Sequence, residues 1–495
     1  MDSEKYARRS ARRVILSEIL MVIAVVVTVT ILALLVSGYW LGSDFKVERQ
    51  GMLQISSLPT GANIEVDGES YSWLQRTNTS KVVPAGEHTI VLTKDGYDSW
   101  TKTVNVNEGI FYRLHYPRLF LKDREPEIVL DTKDYASASI SPNRNWLLLM
   151  NNTTNWGLIN LDSDKPTVKL LDISKTFSSV SLAEGATSGL FTGTVKSLNW
   201  AKDNEHILFE IETGSGREWV ILNIKNPNEK VNLTREFAAN FTEVKILNDS
   251  ASSLLVVING NLHRLDVGSR QLSAALVKKI GSFHALDSNL IFSAEISDEV
   301  AAELEAKTAA EDGTAVAELE PTEPETAEKY YVGMLKLGEN KITPLLATTT
   351  PTKPVVSRFY DEEFLAILED KTVTLYKKQD FQSVATYNLT FAPEKIRVGH
   401  SGEFITLSTA GSLATLDMES SSLREWSVEA NEFYWLDDDM IYAVANGNLK
   451  VFDYDGFNPR ELAHNVSSHF PVTITADKWL YYFSDDNLVR ELIRN

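Results

Sequence analysis

The sequence contains no cysteine, which removes disulfide frameworks, cysteine-ligated zinc and iron–sulfur sites, thiol nucleophiles and a lipid-modified cysteine together. It also lacks a positive balance of charge. The 48 Lys and Arg stand against 68 Asp and Glu, for a formal net charge of −20 and a pI near 4.9, the reverse of what binding to a phosphate backbone requires. Nucleic acid is not an expected partner. Long apolar runs are absent but for one, from Ile19 to Val36, and a single run excludes a channel or a multi-span transporter. Missing too are a glycine-rich phosphate loop, a G-x-S-x-G elbow, a His-Glu-x-x-His pair and the S-x-D-x-G-x-T-W box of sialidases.

The eight histidines are scattered, and the closest pair, His464 and His469, has no metal-ligand spacing. The acidic turns Asp453-Tyr-Asp455-Gly456 and Asp437-Asp438-Asp439 offer hard oxygen donors without an EF-hand spacing. Their aspartates are expected to cap backbone amides. No catalytic, cofactor-binding or metal-ligating residue is assigned, although paired carboxylates brought together by folding stay open in so acidic a chain.

The single apolar run carries two threonines and no charge, and at about 1.5 Å per residue it reaches roughly 27 Å. That pattern predicts a transmembrane helix over 19–41, with Tyr39 and Trp40 at the interface. Lys5, Arg8, Arg9, Arg12 and Arg13 precede it, so residues 1–18 are expected in the cytoplasm and everything after the helix outside. A cleaved signal peptide is the alternative, but the run exceeds the usual apolar length and no small-x-small site follows it.

Beyond it, short alternating strands are punctuated by turns: Ser57-Leu-Pro59-Thr-Gly61-Ala62, Val66-Asp67-Gly68, Pro84-Ala-Gly86-Glu-His88 and Lys94-Asp-Gly96-Tyr97. These four spaced motifs resemble the PEGA domain over about 51–116, with Thr60 where that family often has Glu. The resemblance implies a small β-sandwich-like module of surface-exposed and membrane-tethered prokaryotic proteins, and no catalytic residues. Tyr97 and Trp100 read as core or interface aromatics.

From 127 to 495 one unit recurs, an apolar strand, a polar turn and a second strand, beginning at Trp146, Ile207, Leu254, Leu290, Phe364, Phe404, Met440 and Trp479. The last four starts, about 36 to 40 residues apart, suit propeller blades of four strands. The turns Ser141–Asn145, Trp200–Asn204 and Leu436–Asp439 resemble, degenerately, the S-P-D-G turn of WD40-like and Tol-type propellers. Eight blades are expected, or seven if the Leu290 unit is irregular. The final hairpin lacks an outer strand, which Glu127–Thr132 is placed to supply. Aromatics at the blade starts, Trp146, Trp200, Phe364, Trp435 and Trp479, read as inter-blade core. The segment 295–328, almost entirely Ala, Glu, Thr and Pro with Lys307 its one basic residue, is expected to be a flexible acidic insertion, partly helical near Asp298–Ala310.

The fold class is thus all-β: one membrane helix, a small PEGA-like sandwich and a propeller. The function expected of it is non-enzymatic binding or scaffolding outside the cell, with a protein or a cell-envelope polysaccharide as partner and no cofactor. A propeller hydrolase or lyase acting on envelope polysaccharide, and a single-pass sensor, are the alternative readings.

Overall fold

The computed structural model describes residues 19–33, 39–41, 47–70, 76–177, 180–181, 190–214, 216–247, 249–311, 329–339 and 341–495. They form two compact units, 1–124 and 125–493. The predicted cytoplasmic segment 1–18 lies outside the described residues.

Helix α1 covers 19–33, and every residue in it is exposed. Its two polar side chains, Thr28 and Thr30, donate back to the carbonyls of Ala24 and Val26 at 2.8 Å. Among the described residues no helix is long and apolar enough to cross a membrane. The helix expected to run on to 41 does not do so. Tyr39–Leu41 is strand β1 and pairs antiparallel with Val47–Arg49, as aromatic residues of high strand propensity do when a partner strand follows closely.

The first unit stacks two four-stranded sheets. One holds β1, β2 (Val47–Ile55), β5 (Thr79–Pro84) and β8 (Phe111–Leu114), and the other β3 (Asn63–Val66), β4 (Glu69–Ser70), β6 (Gly86–Thr93) and β7 (Trp100–Val106). Alternation along β7 buries Trp100, Lys102, Val104 and Val106 and exposes the residues between, which is the half-buried pattern of a sandwich strand. Trp100 is fully buried. Gly51 is required by close approach, since a Cβ there would sit 2.3 Å from Val106 Cγ1 and 2.8 Å from the Asn107 carbonyl oxygen.

Among the described residues the second unit holds eight four-stranded antiparallel sheets, each ordered as in the chain: 137–172, 194–232, 241–272, 280–348, 353–388, 395–427, 434–463, and a last one of 473–492 completed by β9 (Pro126–Asp131). We number them blades 1 to 8. Middle strands such as Phe404–Thr409 and Ser412–Asp417 are buried almost throughout, whereas an outer strand such as Ser422–Ser427 is largely exposed. That explains why the sequence shows unbroken apolar runs at the hairpins and alternation elsewhere. Asn259-Gly260 and Asn446-Gly447 take positive φ at the hairpin turns, matching the twist of the flanking strands.

β9 pairs with Asn487–Leu492 through Leu130↔Leu488 and Glu127↔Arg490. The Arg490 guanidinium forks onto the Glu127 carboxylate, 2.7 Å from Nε and 3.1 Å from Nη2, and lies 4.4 Å from the Trp479 ring centroid. Leu147, Leu149 and Ile159 of blade 1 share one core with Tyr481, Phe483 and Leu488 of blade 8. The ring is therefore closed by both backbone pairing and apolar contact, and the end strands leave no open edge between them.

Within the segment 295–328 the helix expected near Asp298–Ala310 is present. Glu295 ends a blade 4 strand, Asn289–Glu295, and Asp298–Glu311 is helical. Val300 and Leu304 of this helix pack on the blade 4 core with Ile296. A single i,i+4 apolar pair within this acidic composition is enough to seat the helix on an existing surface. Residues 312–328 lie outside the described residues.

Candidate binding channel

The first strand of each blade faces the ring axis, and three connected cavities of about 700, 680 and 370 Å³ run along it. The widest shares Ala138, Tyr434, Tyr442 and Pro471 with the middle one. The middle one shares Trp200, His284, Val398 and His400 with the narrowest. A continuous channel results, and its two mouths differ in chemistry.

The turns the sequence singled out contribute to the narrow mouth, Trp200, Ala201 and Lys202 beside Leu247, Asp287 and Arg358, with Ser141, Arg144 and Leu436 next to them. In each turn, a side-chain oxygen takes backbone amides: Ser141 Oγ accepts from Trp146 N–H at 3.0 Å, and Asp203 Oδ1 from Glu205 and His206 N–H at 2.8 and 3.0 Å. Asp437 Oδ1 does the same for Asp439 and Met440, at 2.9 and 2.7 Å. The expected capping role of the aspartates holds at Asp437. These turns carry Arg144, Lys202 and Asp438 to the axis. Arg144 Nη2 reaches Asp438 of blade 7 at 2.7 Å, passing over blade 8, and Arg358 of blade 5 bonds Asp287 of blade 4 at 2.6 Å and also Glu363. Lys202 stands 3.8 Å from Asp249 and 4.0 Å from Asp287. Exposed pairs of this kind contribute about 0–1 kcal/mol each. Their effect here is steric and electrostatic, a rim of paired charges laced across the opening.

Two histidines stand just inside. His284 Nδ1 accepts the Val356 N–H at 3.2 Å, and burial, with Lys245 nearby, pushes its pKa down to about 4. Burial also lowers His400, with the Arg144 charge acting in the same direction. Both rings are thus neutral donors and acceptors at ordinary pH.

The wide mouth is aromatic and polar. The rings of Tyr434 and Tyr442 stack at 5.4 Å, and the Arg397 guanidinium lies 5.3 Å from the Tyr434 centroid. Tyr434 donates its hydroxyl to Glu432, which also pairs with Lys395 at 2.7 Å. Burial and the Glu432 charge push the Tyr434 phenol up to about 12, while Lys395 first and Tyr434 second hold the Glu432 carboxyl below its ordinary range. Asn431, Asn446, His469 and Phe470 complete the rim. Amides, one carboxylate and an aromatic face in a concave mouth are the groups that grip a polar ligand with apolar faces.

The structure separates the histidines noted in the sequence. His469 lines the wide mouth, whereas His464 pairs with Glu461 at 3.2 Å. Of the aromatics expected in the inter-blade core, Trp146, Phe364 and Trp479 pack there. Trp200 and Trp435 do so too, yet both also line the channel, and Trp200 Nε1 donates to Ser139 Oγ of blade 1 at 2.9 Å. Sequence reasoning missed Tyr434, Glu432 and Arg397, although the place of Arg397 and Tyr434 in the inner strands of blades 6 and 7, and of Glu432 just before the second of these, ahead of the marked hairpins, was a signal that could have found them.

In the first unit the four motifs interlock. Ser57 Oγ donates to the Pro59 carbonyl at 2.7 Å and lies 2.8 Å from Thr77 Oγ1, which accepts the Ala62 N–H. Asp67 Oδ1 accepts the Thr89 N–H at 2.8 Å and Oδ2 meets His88 Nδ1 at 2.6 Å, with His88 Nε2 2.7 Å from the Pro84 carbonyl. Lys94 Nζ donates to the Thr60 carbonyl at 2.8 Å.

Residues 50–118 match the PEGA domain family. A search of curated proteins finds no match. Solved structures similar to the chain include the C-terminal WD40 domain of Sif2, at 13% identity over 75% of this chain and 98% of that one, with a TM-score of 0.46. Hsv2 of Kluyveromyces lactis aligns at 10% identity over 69% and 99% of the two chains, with a TM-score of 0.41. The computationally designed Ika8 protein aligns at 11% over 74% and 98%, with a TM-score of 0.42. The propeller architecture rests on this chain's own sheet topology.

Proposed function

We propose, taking a PEGA domain at 50–118 joined to a closed ring of eight blades as the premise, that this chain is a membrane-anchored extracytoplasmic binding or scaffold protein. Its ligand, a segment of another protein or a cell-envelope polysaccharide, enters the channel by the wide mouth. The observation that carries this reading is the asymmetry of the channel, ion-paired at one end and aromatic and polar at the other. A closed ring holds such a mouth rigid, so little ordering cost opposes binding. Nucleic acid stays disfavoured by the net charge of −20.

The anchor is supported by α1, apolar on every face and exposed throughout, with its threonine hydroxyls satisfied inside the helix. A helix apolar all round is at home in lipid or a protein core. The basic residues ahead of it support a cytoplasmic N-terminus.

The test is binding of the full chain to glycan arrays and to envelope extracts, compared with Tyr434→Ala and with Asn446→Ala. Saturable binding that weakens about tenfold or more in Tyr434→Ala, as loss of an aromatic anchor does, supports the reading. Turnover of a bound polymer, or binding indifferent to both substitutions, overturns it.

A further inference from the structure

The outward face of the first sheet of the PEGA unit carries a row of apolar side chains that this unit leaves uncovered. In β2, Gly51, Leu53 and Ile55 point inward and are buried, while Met52 points outward. The register sets Met52 directly between Val82 of β5 and Phe111 of β8. All three are exposed, at 38%, 49% and 42%, and Ile110 beside Phe111 is 52% exposed. An outward strand face normally alternates to polar side chains. One more pair along the same face, Gln54 and Ser80, the pattern does turn polar.

We infer that this row docks on the lipid surface, so that the PEGA unit lies against the bilayer instead of hanging from it on a tether. The occupant follows from chain length. The apolar run ends at Val36, and Tyr39, three residues on, begins the strand that pairs with β2. Three residues span about 10 Å at most. Tyr39 is the register partner of Arg49, and Met52 lies three residues further along β2, about another 10 Å. The row therefore sits within roughly 25 Å of the point where the apolar run leaves the hydrocarbon, on the same sheet that receives the chain from it. Interfacial seating of a few apolar side chains is weak by itself, and becomes effective when a covalently linked anchor holds the face near the membrane.

This inference rests on the anchoring reading, and the experiment separates the two. Because the chain has no cysteine, Val82→Cys, Phe111→Cys and Asn105→Cys each place one environment-sensitive fluorophore, Asn105 being exposed on the opposite sheet. The full chain is reconstituted in phosphatidylcholine vesicles, floated after an alkaline wash, and challenged with a lipid-borne quencher and with iodide. Lipid quenching several-fold stronger at 82 and 111 than at 105, with the reverse order for iodide, is the expected result. A Met52→Cys probe in a Val82→Ser/Phe111→Ser background should lose its lipid quenching while flotation and the thermal melt stay unchanged. A chain that fails to float overturns the anchor and the docking together. A chain that floats with 82 and 111 as iodide-accessible as 105 overturns the docking alone, as do probes shielded from both quenchers, which would mark a protein-covered face.

Discussion

At the scale of single residues, two glycines packed against backbone atoms, Gly402 and Gly51, give sharp expectations. A Cβ on Gly402, which has φ of +77°, would stand 2.0 Å from the Arg358 carbonyl oxygen of the neighbouring blade, where Ser357 Oγ also meets the Gly402 carbonyl. Gly402→Ala should cost on the order of 2–4 kcal/mol by strain and overpacking, read as a lowered melting temperature. Gly51→Ala should cost about 1–3 kcal/mol, because the atoms it meets include backbone. Two titrating groups pull stability in opposite directions. His284 has a folded pKa near 4 against 6.5, so the native state refuses a proton that the unfolded chain accepts. Stability is lost as pH falls from about 6.5 to about 4, by something like 2 kcal/mol once screening by channel water is allowed for. His284→Gln should flatten that limb of a pH-dependent melt. Asp417 is raised, chiefly by burial and also by the Glu403 charge, so its ionisation in the native state is opposed and stability falls as pH rises above about 3.8. Asp417→Asn keeps an acceptor for the Glu419 and Ser420 amides that Oδ1 holds at 2.8 and 3.2 Å. It should melt higher than the parent at pH 7, with the gain shrinking toward pH 4.

Among the elements, what was legible in the sequence was what repeats. The blade hairpins are apolar because their middle strands are buried on both faces, and β9 was readable as the missing outer strand because it resembles the others in length and polarity. The four PEGA motifs were readable because each is a turn with its own hydrogen-bond requirement. Helix α3 (Asp298–Glu311, after α2, Leu233–Phe237) was legible in its extent but not in its seating on blade 4, because composition averages away one apolar pair, and β1 was not legible, because an interfacial aromatic pair and a short strand look alike on the page. Val300→Ser with Leu304→Ser should release α3 from blade 4. Its amide exchange should rise by an order of magnitude or more for a loss of about 1.5–3 kcal/mol, while strand Tyr330–Lys336 keeps its protection.

For the whole molecule, the site is legible only once the ring is closed. Arg144 and Asp438 are 294 residues apart, and Tyr434 meets the channel by virtue of its blade's position and not its neighbours in sequence. No local pattern encodes such a pairing. The seam where the ring closes is open to a double-mutant cycle. Glu127→Gln and Arg490→Gln, singly and together, should show a coupling of about 0.5–1.5 kcal/mol, given one exposed and one well-buried partner. Zero coupling would place the closing energy in the backbone pairing of β9 and the shared apolar core, without the ion pair. The seam also has a consequence in time. Glu127 is made 363 residues before Arg490, so a nascent chain carries β9 as an orphan edge, a template for the wrong partner, until the last blade arrives. Its sequence is suited to that wait. Pro126 offers no amide to a passing strand, and Glu125, Glu127 and Asp131 surround Ile128, Val129 and Leu130 with like charge. The acidic border of this strand is thus a guard against aggregation during synthesis, and only at the end does one of its carboxylates become half of the clasp.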